Sequence, residues 1–229
     1  MERPTPIMRA RLYQFSYSPG SAKVRKLLHY KGVEFDTIEV DYVERKELIA
    51  ASGQIKTPAL TISDGETIVD SARIALRLEE LHPNPTILPT DLRGLHLALA
   101  SHIDGVVKDA ILRLAIPDMA EYWRRRGGDR LALWKYIRDR RYGDGFCDRM
   151  AHETAANQAA VHAMLAPFED TLSGGAFILG RIGLADFSLY GQLYMLAFTG
   201  ELKIPAGLPN LVAFFGRMDR LSALPEPAG

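Results

Sequence analysis

The sequence predicts an α/β domain followed by an all-α domain, and three observations carry that prediction. In the first third of the chain, short apolar runs of strand length alternate with segments of helical periodicity. The stretch Leu81–Pro85, which contains two prolines and an asparagine, then interrupts the pattern as a connector does. Beyond it, apolar residues recur only at helical spacing. We therefore expect an α/β domain over 1–83, a linker over 84–91 and a helical domain over 92–229.

The first junction between a strand and a helix carries a possible binding loop. An apolar run ending at Phe15 predicts a strand, and Pro19 suits the first helical position because that position needs no backbone N–H. Ser18 is then a typical N-cap residue. The exposed amides and the dipole of a helix N-terminus stabilise anions, including a thiolate. The segment therefore indicates either a simple helix cap or an anion-binding loop.

Two further segments of the first domain show features of the same kind of site. Pro58 precedes a strand predicted over Ala59–Ile62, a position where proline is tolerated. A cis Thr57–Pro58 bond would leave the backbone of Thr57 open to an extended peptide ligand. Asp70 is the predicted N-cap of the next helix, and Ser71 adds a hydroxyl donor there. Capping alone is the simpler interpretation of that pair.

The order strand, helix, strand, helix, strand, strand, helix (βαβαββα) is typical of a thioredoxin-like domain. Four segments in turn resemble motifs of the glutathione transferase superfamily, and together they extend over nearly the whole chain. These segments are Tyr17–Arg25, Lys56–Leu60, Asp70–Ser71 and Gly180–Tyr190.

The resemblance implies two competing candidates for the catalytic hydroxyl. Ser18 matches the catalytic serine of zeta-like and phi-like classes, and Ser21 matches that of delta-like and theta-like classes. We rank Ser18 first, because it stands at the start of the helix whereas Ser21 lies one turn further in. Either hydroxyl would stabilise the thiolate of glutathione, the substrate or cofactor that the resemblance implies.

The other glutathione contacts implied by the resemblance lie in the second and third motifs. Lys56, Thr57 and Pro58 match the segment whose backbone engages the cysteinyl part of glutathione, with the proline cis in the family. Asp70 and Ser71 match the acidic residue and serine that bind the γ-glutamyl end. Many members carry glutamate where this chain has the shorter aspartate.

The energy that this chemistry requires is within reach of such a site. A free thiol has a pKa of about 8.5, and lowering it by two units needs about 2.7 kcal/mol. One hydroxyl hydrogen bond to a charged sulfur contributes about 1.5–3 kcal/mol and a helix N-terminus about 0.3–1 kcal/mol. The resemblance thus implies a glutathione transferase that directs the thiolate at a small hydrophobic electrophile, with a role in detoxification. Glutathione-dependent isomerase, dehalogenase or ether-cleaving lyase chemistry and a non-catalytic scaffold are the alternatives.

The helical domain of the family lines the pocket for the electrophile. The resemblance makes five residues candidates for that pocket, each of which is also compatible with ordinary packing: Tyr17, His102, Arg113, Tyr122 and Trp123.

An arginine-rich and aromatic stretch, residues 117–148, stands between two predicted helices. Acidic residues interleave with the arginines, which favours a solvated helical insertion over a nucleic-acid surface. A protein-interaction module is a third interpretation of this stretch.

The composition limits the classes of binding partner and the cellular compartments that we expect. Lys plus Arg number 28 and Asp plus Glu number 28, so the net charge of zero gives no electrostatic case for nucleic acid or an acidic membrane. No stretch approaches the ~20 apolar residues of a membrane span, and Met1–Pro6 lacks an apolar signal core. We expect a cytoplasmic homodimer without a metal. Cys147, the only cysteine, excludes dithiol chemistry within one chain and is expected to be a packed side chain.

The fourth motif predicts a helix start rather than chemistry. Asp186 stands three residues after Gly183, the spacing of a capping box, but glycine supplies no capping hydroxyl. From this pattern alone, a Gly183→Ser variant is expected to be more stable.

Overall fold

The structure, a computed structural model, describes residues 9–221 and begins with a four-stranded mixed sheet in the order β2-β1-β3-β4. Strand β1 pairs in parallel with β2 and antiparallel with β3, and β3 pairs antiparallel with β4. The α/β elements are β1 (Ala10–Gln14), α1 (Pro19–Tyr30), β2 (Phe35–Glu39), α2 (Lys46–Ser52), β3 (Ala59–Thr61), β4 (Thr67–Val69) and α3 (Ser71–Leu81). The predicted βαβαββα order is confirmed.

Strand β1 is an inner strand of the sheet, because it pairs with β2 on one side and with β3 on the other. Leu12 is opposite Thr37 of β2 and Leu60 of β3, and it has no exposed surface. Helix α1 presents Val24 and Leu27 to this core, and both are fully buried. The sheet and α1 therefore share one buried apolar core.

The second region is helical throughout, as predicted. Its elements are α4 (Arg93–His102), a π-helical segment (Ile103–Val107), α5 (Lys108–Arg124), α6 (Gly128–Tyr142), α7 (Phe146–His152), α8 (Thr154–Ser173), α9 (Leu184–Tyr194) and α10 (Pro209–Asp219). Residues 82–92 connect α3 to α4. Within residues 9–221, no helix is long and apolar enough to cross a membrane, and no cluster of His, Cys, Asp or Glu could hold a metal. The N-terminal segment Met1–Pro6 lies outside the described residues.

The arginine-rich stretch packs more closely against the rest of the helical domain than the sequence suggests. Helix α5 continues through Pro117 to Arg124, because Met119 and Trp123 extend its buried stripe beyond the proline. In α6, Trp134 is fully buried and fixes that helix to the rest of the domain. The stretch is helical, but the expectation of a solvated insertion holds only for its outer face.

The two regions are joined by close packing of α1 against α9. A Cβ atom added to Gly191 would lie 2.6 Å from the carbonyl oxygen of Pro19, so the two helices approach nearly to backbone contact. Beside them, the buried Lys23 Nζ donates to Asp104 Oδ2 at 2.7 Å. Ser188 Oγ and Gln192 Nε2 of α9 also donate to the Asp104 carboxylate, at 3.2 and 2.8 Å.

Helix α9 begins with half of the expected capping box. Asp186 Oδ2 accepts from the backbone N–H of Gly183 at 2.9 Å, and its Oδ1 accepts from that of Ile178 at 2.9 Å. The expected gain from Gly183→Ser is wrong, because a Cβ atom at Gly183 would overlap the buried ring of His96.

Candidate active site

Ser18 occupies the N-cap position of α1 without using its side chain as a cap. Its backbone is extended, with φ −70° and ψ 132°, and Pro19 follows it at the first helical position. The Ser18 side chain makes no capping hydrogen bond and is partly exposed. The hydroxyl is therefore available to a ligand at the positive end of the helix dipole.

Ser21 lies on the opposite, interior side of the same turn. It has no exposed surface, and its Oγ finds no hydrogen-bond partner among the described residues. The structure thus separates the two candidate hydroxyls by their surroundings, one at the surface of the site and one inside the protein.

The three N-terminal motifs meet around Gly20. A Cβ atom added to Gly20 would lie 3.1 Å from Pro58 Cδ and 3.4 Å from Ser71 Oγ. The Thr57–Pro58 peptide bond is cis, and the carbonyl of Pro58 accepts from the N–H of Asp70 at 3.3 Å. Segments far apart in the sequence therefore lie side by side here, and glycine at position 20 lets them approach.

The backbone of Thr57 is open on this surface. Within residues 9–221, neither its N–H nor its carbonyl has a hydrogen-bond partner. Lys56 beside it is exposed, and its backbone N–H donates to Gln54 Oε1 at 2.6 Å. An extended peptide could pair with Thr57 as a strand does.

Asp70 caps α3 as predicted. Its Oδ1 accepts from the N–H groups of Ala72 and Arg73, at 2.9 and 3.2 Å. The residue has a positive φ of 78°, a conformation that favours glycine or a short polar side chain such as aspartate. Oδ2 makes no hydrogen bond within the described part of the chain, so the exposed carboxylate can still bind a cationic group.

Tyr17 lies in an aromatic cluster between the two regions. Its ring centroid lies 5.4 Å from that of Tyr122, 5.6 Å from that of Trp123 and 6.1 Å from that of Phe198. Burial raises the pKa of the Tyr17 hydroxyl well above its ordinary value, although Arg138 beside it acts in the opposite direction. The Tyr17 side chain is therefore packed among these rings, and its hydroxyl is a weaker acid than an exposed tyrosine.

A cavity of about 480 Å³ opens beside this cluster. Tyr122 and Trp123 line it, together with the loops that follow β1 and β2 and with Arg126. His102 is exposed and lines a different groove, between α4 and α8, whereas Arg113 is exposed on α5. The sequence analysis did not single out Arg126 as a pocket residue. The arginine-rich composition of residues 117–148 was the sequence feature that could have pointed to it.

Cys147 takes no part in this site. It is buried on α7, and burial raises the pKa of its thiol to about 11. A thiol of that pKa is almost wholly protonated at neutral pH and is a poor nucleophile.

Comparisons with known proteins agree with this architecture. Residues 12–86 match the family model for the glutathione S-transferase N-terminal domain, and residues 151–217 match that for the C-terminal domain. Maleylacetoacetate isomerase of Pseudomonas aeruginosa is 30% identical over 191 residues, which is 80% of each chain. A probable glutathione S-transferase of Nicotiana tabacum is 37% identical over 83 residues, 35% of this chain and 37% of that protein.

Solved structures show the same fold. A glutathione S-transferase of Ceriporiopsis subvermispora in complex with glutathione superposes with a TM-score of 0.77 at 17% identity, covering 96% of this chain and all of that one (100%). The beta-etherase LigF of Sphingobium sp. strain SYK-6 gives 0.66 at 20% identity, covering 93% and 96%. The protein therefore belongs to the class in which a thioredoxin-like domain is followed by a helical domain. The chain belongs to the glutathione S-transferase family.

Proposed function

We propose that this protein binds glutathione and uses Ser18 to hold its thiol as a thiolate, which attacks a small hydrophobic electrophile. The observation that carries the proposal is the meeting of the three N-terminal motifs around Gly20. It is supported by family membership and by the likeness to a transferase in complex with glutathione.

Each part of the tripeptide has a matching group on the proposed surface. The open backbone of Thr57 suits the cysteinyl unit, because an extended peptide pairs with an unpaired N–H and carbonyl. The Asp70 carboxylate and the Ser71 hydroxyl suit the γ-glutamyl ammonium and carboxylate. Lys56, exposed beside this surface, adds a positive charge for the carboxylates of glutathione.

We assign stabilisation of the glutathione thiolate to Ser18 rather than Ser21, because the two hydroxyls differ in their surroundings. The Ser18 hydroxyl is partly exposed and makes no capping bond, whereas Ser21 is fully enclosed. A hydrogen bond to a charged sulfur is worth about 1.5–3 kcal/mol. The electrophile would lie against Tyr122 and Trp123, which line the cavity beside Tyr17.

The test compares Ser18→Ala, Ser21→Ala and, as a control far from the site, Ser173→Ala at the end of α8. The pKa of bound glutathione is measured from thiolate ultraviolet absorbance, and turnover is measured with a neutral aryl halide. We expect Ser18→Ala to raise the thiol pKa and to reduce kcat/KM about 10- to 100-fold, with the other two variants near wild type. Glutathione that binds with its ordinary pKa would favour the scaffold alternative. Unchanged activity in Ser18→Ala would exclude the assignment.

Glutathione-dependent isomerisation is the second candidate, and the 30% identity to a maleylacetoacetate isomerase favours it. In an isomerase the thiolate adds to the substrate and is then expelled, so glutathione is not consumed. Incubation with maleylacetoacetate, followed by quantification of free glutathione, separates the two reactions. Product formation at constant glutathione supports isomerisation, and stoichiometric loss of glutathione supports conjugation.

The expected homodimer is part of the proposal. Helix α4 and the π-helical segment expose Leu95 and Val106, which are 54% and 53% accessible in the single chain. Large apolar side chains this exposed are often covered by a partner. Light scattering coupled to gel filtration tests the dimer, and replacing both residues with Glu is expected to yield monomers. The cytoplasmic location stays a prediction.

A further inference from the structure

Some charged side chains around the aromatic cavity have a partner of opposite charge, and others do not. Asp41 Oδ2 accepts from Arg130 Nη2 at 2.8 Å, and backbone N–H groups of Glu44 and Val43 add to this. These hydrogen bonds, led by that from Glu44, hold the pKa of Asp41 at about 2. Asp41 and Arg130 therefore cancel each other in the cavity wall.

Glu39 is the other carboxylate of the cavity. Its oxygens accept from the N–H of Ser16 at 2.8 Å and from the amide of Gln14 at 3.3 Å. The guanidinium of Arg25 lies behind the same residues, where it donates to Gln14 Oε1 at 2.6 Å and to the carbonyl of Ser16 at 3.0 Å. Glu39 thus accepts hydrogen bonds from Ser16 and Gln14, and the same two residues accept hydrogen bonds from Arg25.

Three further guanidinium groups of this region bind only neutral partners among the described residues. Arg45 donates to the carbonyls of Tyr42 and Ile55, and Arg138 donates to the Trp134 carbonyl and the Tyr42 hydroxyl. Arg126, the third, lines the cavity itself and has no carboxylate partner within residues 9–221. Two carboxylates and two guanidinium groups line the cavity, and Arg126 is the guanidinium of these that has no carboxylate partner among the described residues.

Arg126 is held in a position suited to binding an anion. Its Cζ lies 3.5 Å from the centroid of the Tyr122 ring, and its Nη1 donates to the Tyr122 carbonyl at 3.2 Å. Stacking on the ring face orients the guanidinium and leaves its other N–H groups free. The Tyr122 ring in turn contacts Tyr17, the neighbour of Ser18 in the chain.

We propose that the cavity selects planar electrophiles that carry an acidic group, which Arg126 binds as a carboxylate. The proposal rests on the proposed function, because the aromatic rings hold the reacting carbon near the glutathione thiolate. It goes further by naming the substrate class and a specificity-determining residue. A guanidinium binds a carboxylate through two parallel hydrogen bonds, which fixes the orientation of the electrophile as well as attracting it.

Two electrophiles with the same reacting carbon test the proposal: 4-chloro-3-nitrobenzoate and its neutral methyl ester. With either one, the thiolate sulfur forms a bond to the ring carbon, chloride leaves with the bonding electrons, and the thiol proton goes to solvent. The quantity measured is kcat/KM for the acid divided by kcat/KM for the ester, which cancels effects on glutathione activation.

We expect Arg126→Gln to lower this ratio about 10-fold. Arg126→Lys should retain part of the preference for the acid, because lysine keeps the positive charge but lacks the two parallel N–H donors of a guanidinium. The matched control is Arg125→Gln, which removes an adjacent exposed arginine that pairs with Glu121 at 2.9 Å. An unchanged ratio in Arg126→Gln, or an equal fall in Arg125→Gln, would overturn the proposal.

Binding without glutathione separates this proposal from the failure of the proposed function. Trp123 lies in the cavity wall, so a bound nitroaromatic compound should quench its fluorescence, whereas Trp134 is fully buried. We expect wild type to bind the acid more tightly than the ester and Arg126→Gln to lose that difference. The result is informative even if neither compound is turned over. Equal binding of acid and ester by wild type would overturn the proposal.

Discussion

Gly183 lies directly against the ring of His96, and this contact explains why the helix cap of α9 is a glycine. A Cβ atom at Gly183 would overlap the imidazole and would lie 2.8 Å even from its more distant Nδ1. His96 has no exposed surface, and its Nδ1 accepts from the N–H of Ala185 at 3.4 Å. The ring therefore occupies the space where a serine cap would place its side chain.

We expect Gly183→Ser and Gly183→Ala to lower the free energy of unfolding by about 1–3 kcal/mol, because forced overpacking of a buried contact costs that much. Urea denaturation measures the change. Gly94→Ala is the matched control: a Cβ atom there meets nothing within 4 Å, and alanine is the better helix former, so that variant should be neutral or more stable. Adding His96→Ala to Gly183→Ala should recover part of the loss, and strict additivity of the two changes would contradict the contact.

Asp186 should make stability depend on pH in a direction opposite to that of most carboxylates. Burial raises its pKa to about 6, against the N–H groups of Ile178 and Gly183 that lower it. The folded state then binds more protons than the unfolded state between about pH 4 and pH 6. The stabilisation is full below the unfolded pKa and is lost as pH rises through about 6.

The measurement is the unfolding free energy of wild type minus that of Asp186→Asn, from pH 4 to pH 7. Subtraction removes the other titrating groups. We expect the difference to fall by up to about 3 kcal/mol over this range. A constant difference would show that the N–H groups balance burial, and a difference that grows with pH would show that they outweigh it.

The order of the α/β elements could be predicted because each signal is local. Strand-length apolar runs, Pro19 at a helix start and Asp70 as a cap all depend on nearby residues, and the structure has them within one or two residues. The continuation of α5 through Pro117 was missed, because a proline usually ends a helix and the buried side chains beyond it outweigh that cost here.

The candidate site could be predicted only in part, for a similar reason. The motifs locate Ser18 and Ser71, but their meeting at Gly20 depends on packing between distant segments. The positions of His102 and Arg126 depend on how the helices pack against one another. Arg126 is exposed, like Arg124 and Arg125, and lies in the turn after α5, so no helical periodicity distinguishes it from these neighbours in the sequence.

The ion pair between Lys23 and Asp104 should couple the two regions. The Lys23 side chain is 1% exposed and that of Asp104 is 25% exposed, so removing the carboxylate leaves a buried ammonium without its charged partner. We expect Asp104→Leu to lower the unfolding free energy by about 3–5 kcal/mol. Lys23→Met should cost less, because Asp104 keeps the donors Ser188 and Gln192 and some contact with water.

Urea unfolding of the two single variants and of the double variant measures this coupling. The double variant is expected to be more stable than the sum of the single losses predicts, since it leaves no unpaired buried charge. Losses that simply add would show that the two side chains stabilise the fold independently. Arg9→Met, which breaks an exposed pair with Glu34, is the control and should change little.

Tyr17 should contribute packing and not thiol activation, although it precedes Ser18 in the chain. Its side chain is 6% exposed, and burial raises its pKa, so its hydroxyl is a poor proton donor to an adjacent sulfur. We expect Tyr17→Phe to keep the pKa of bound glutathione unchanged and kcat/KM within about threefold of wild type. Tyr17→Ala should instead lower the unfolding free energy by about 3–5 kcal/mol, because it removes the ring that contacts Tyr122 and Trp123. The same thiolate absorbance titration used for Ser18→Ala decides the matter: a raised glutathione pKa in Tyr17→Phe would transfer the activating role from the serine to the tyrosine.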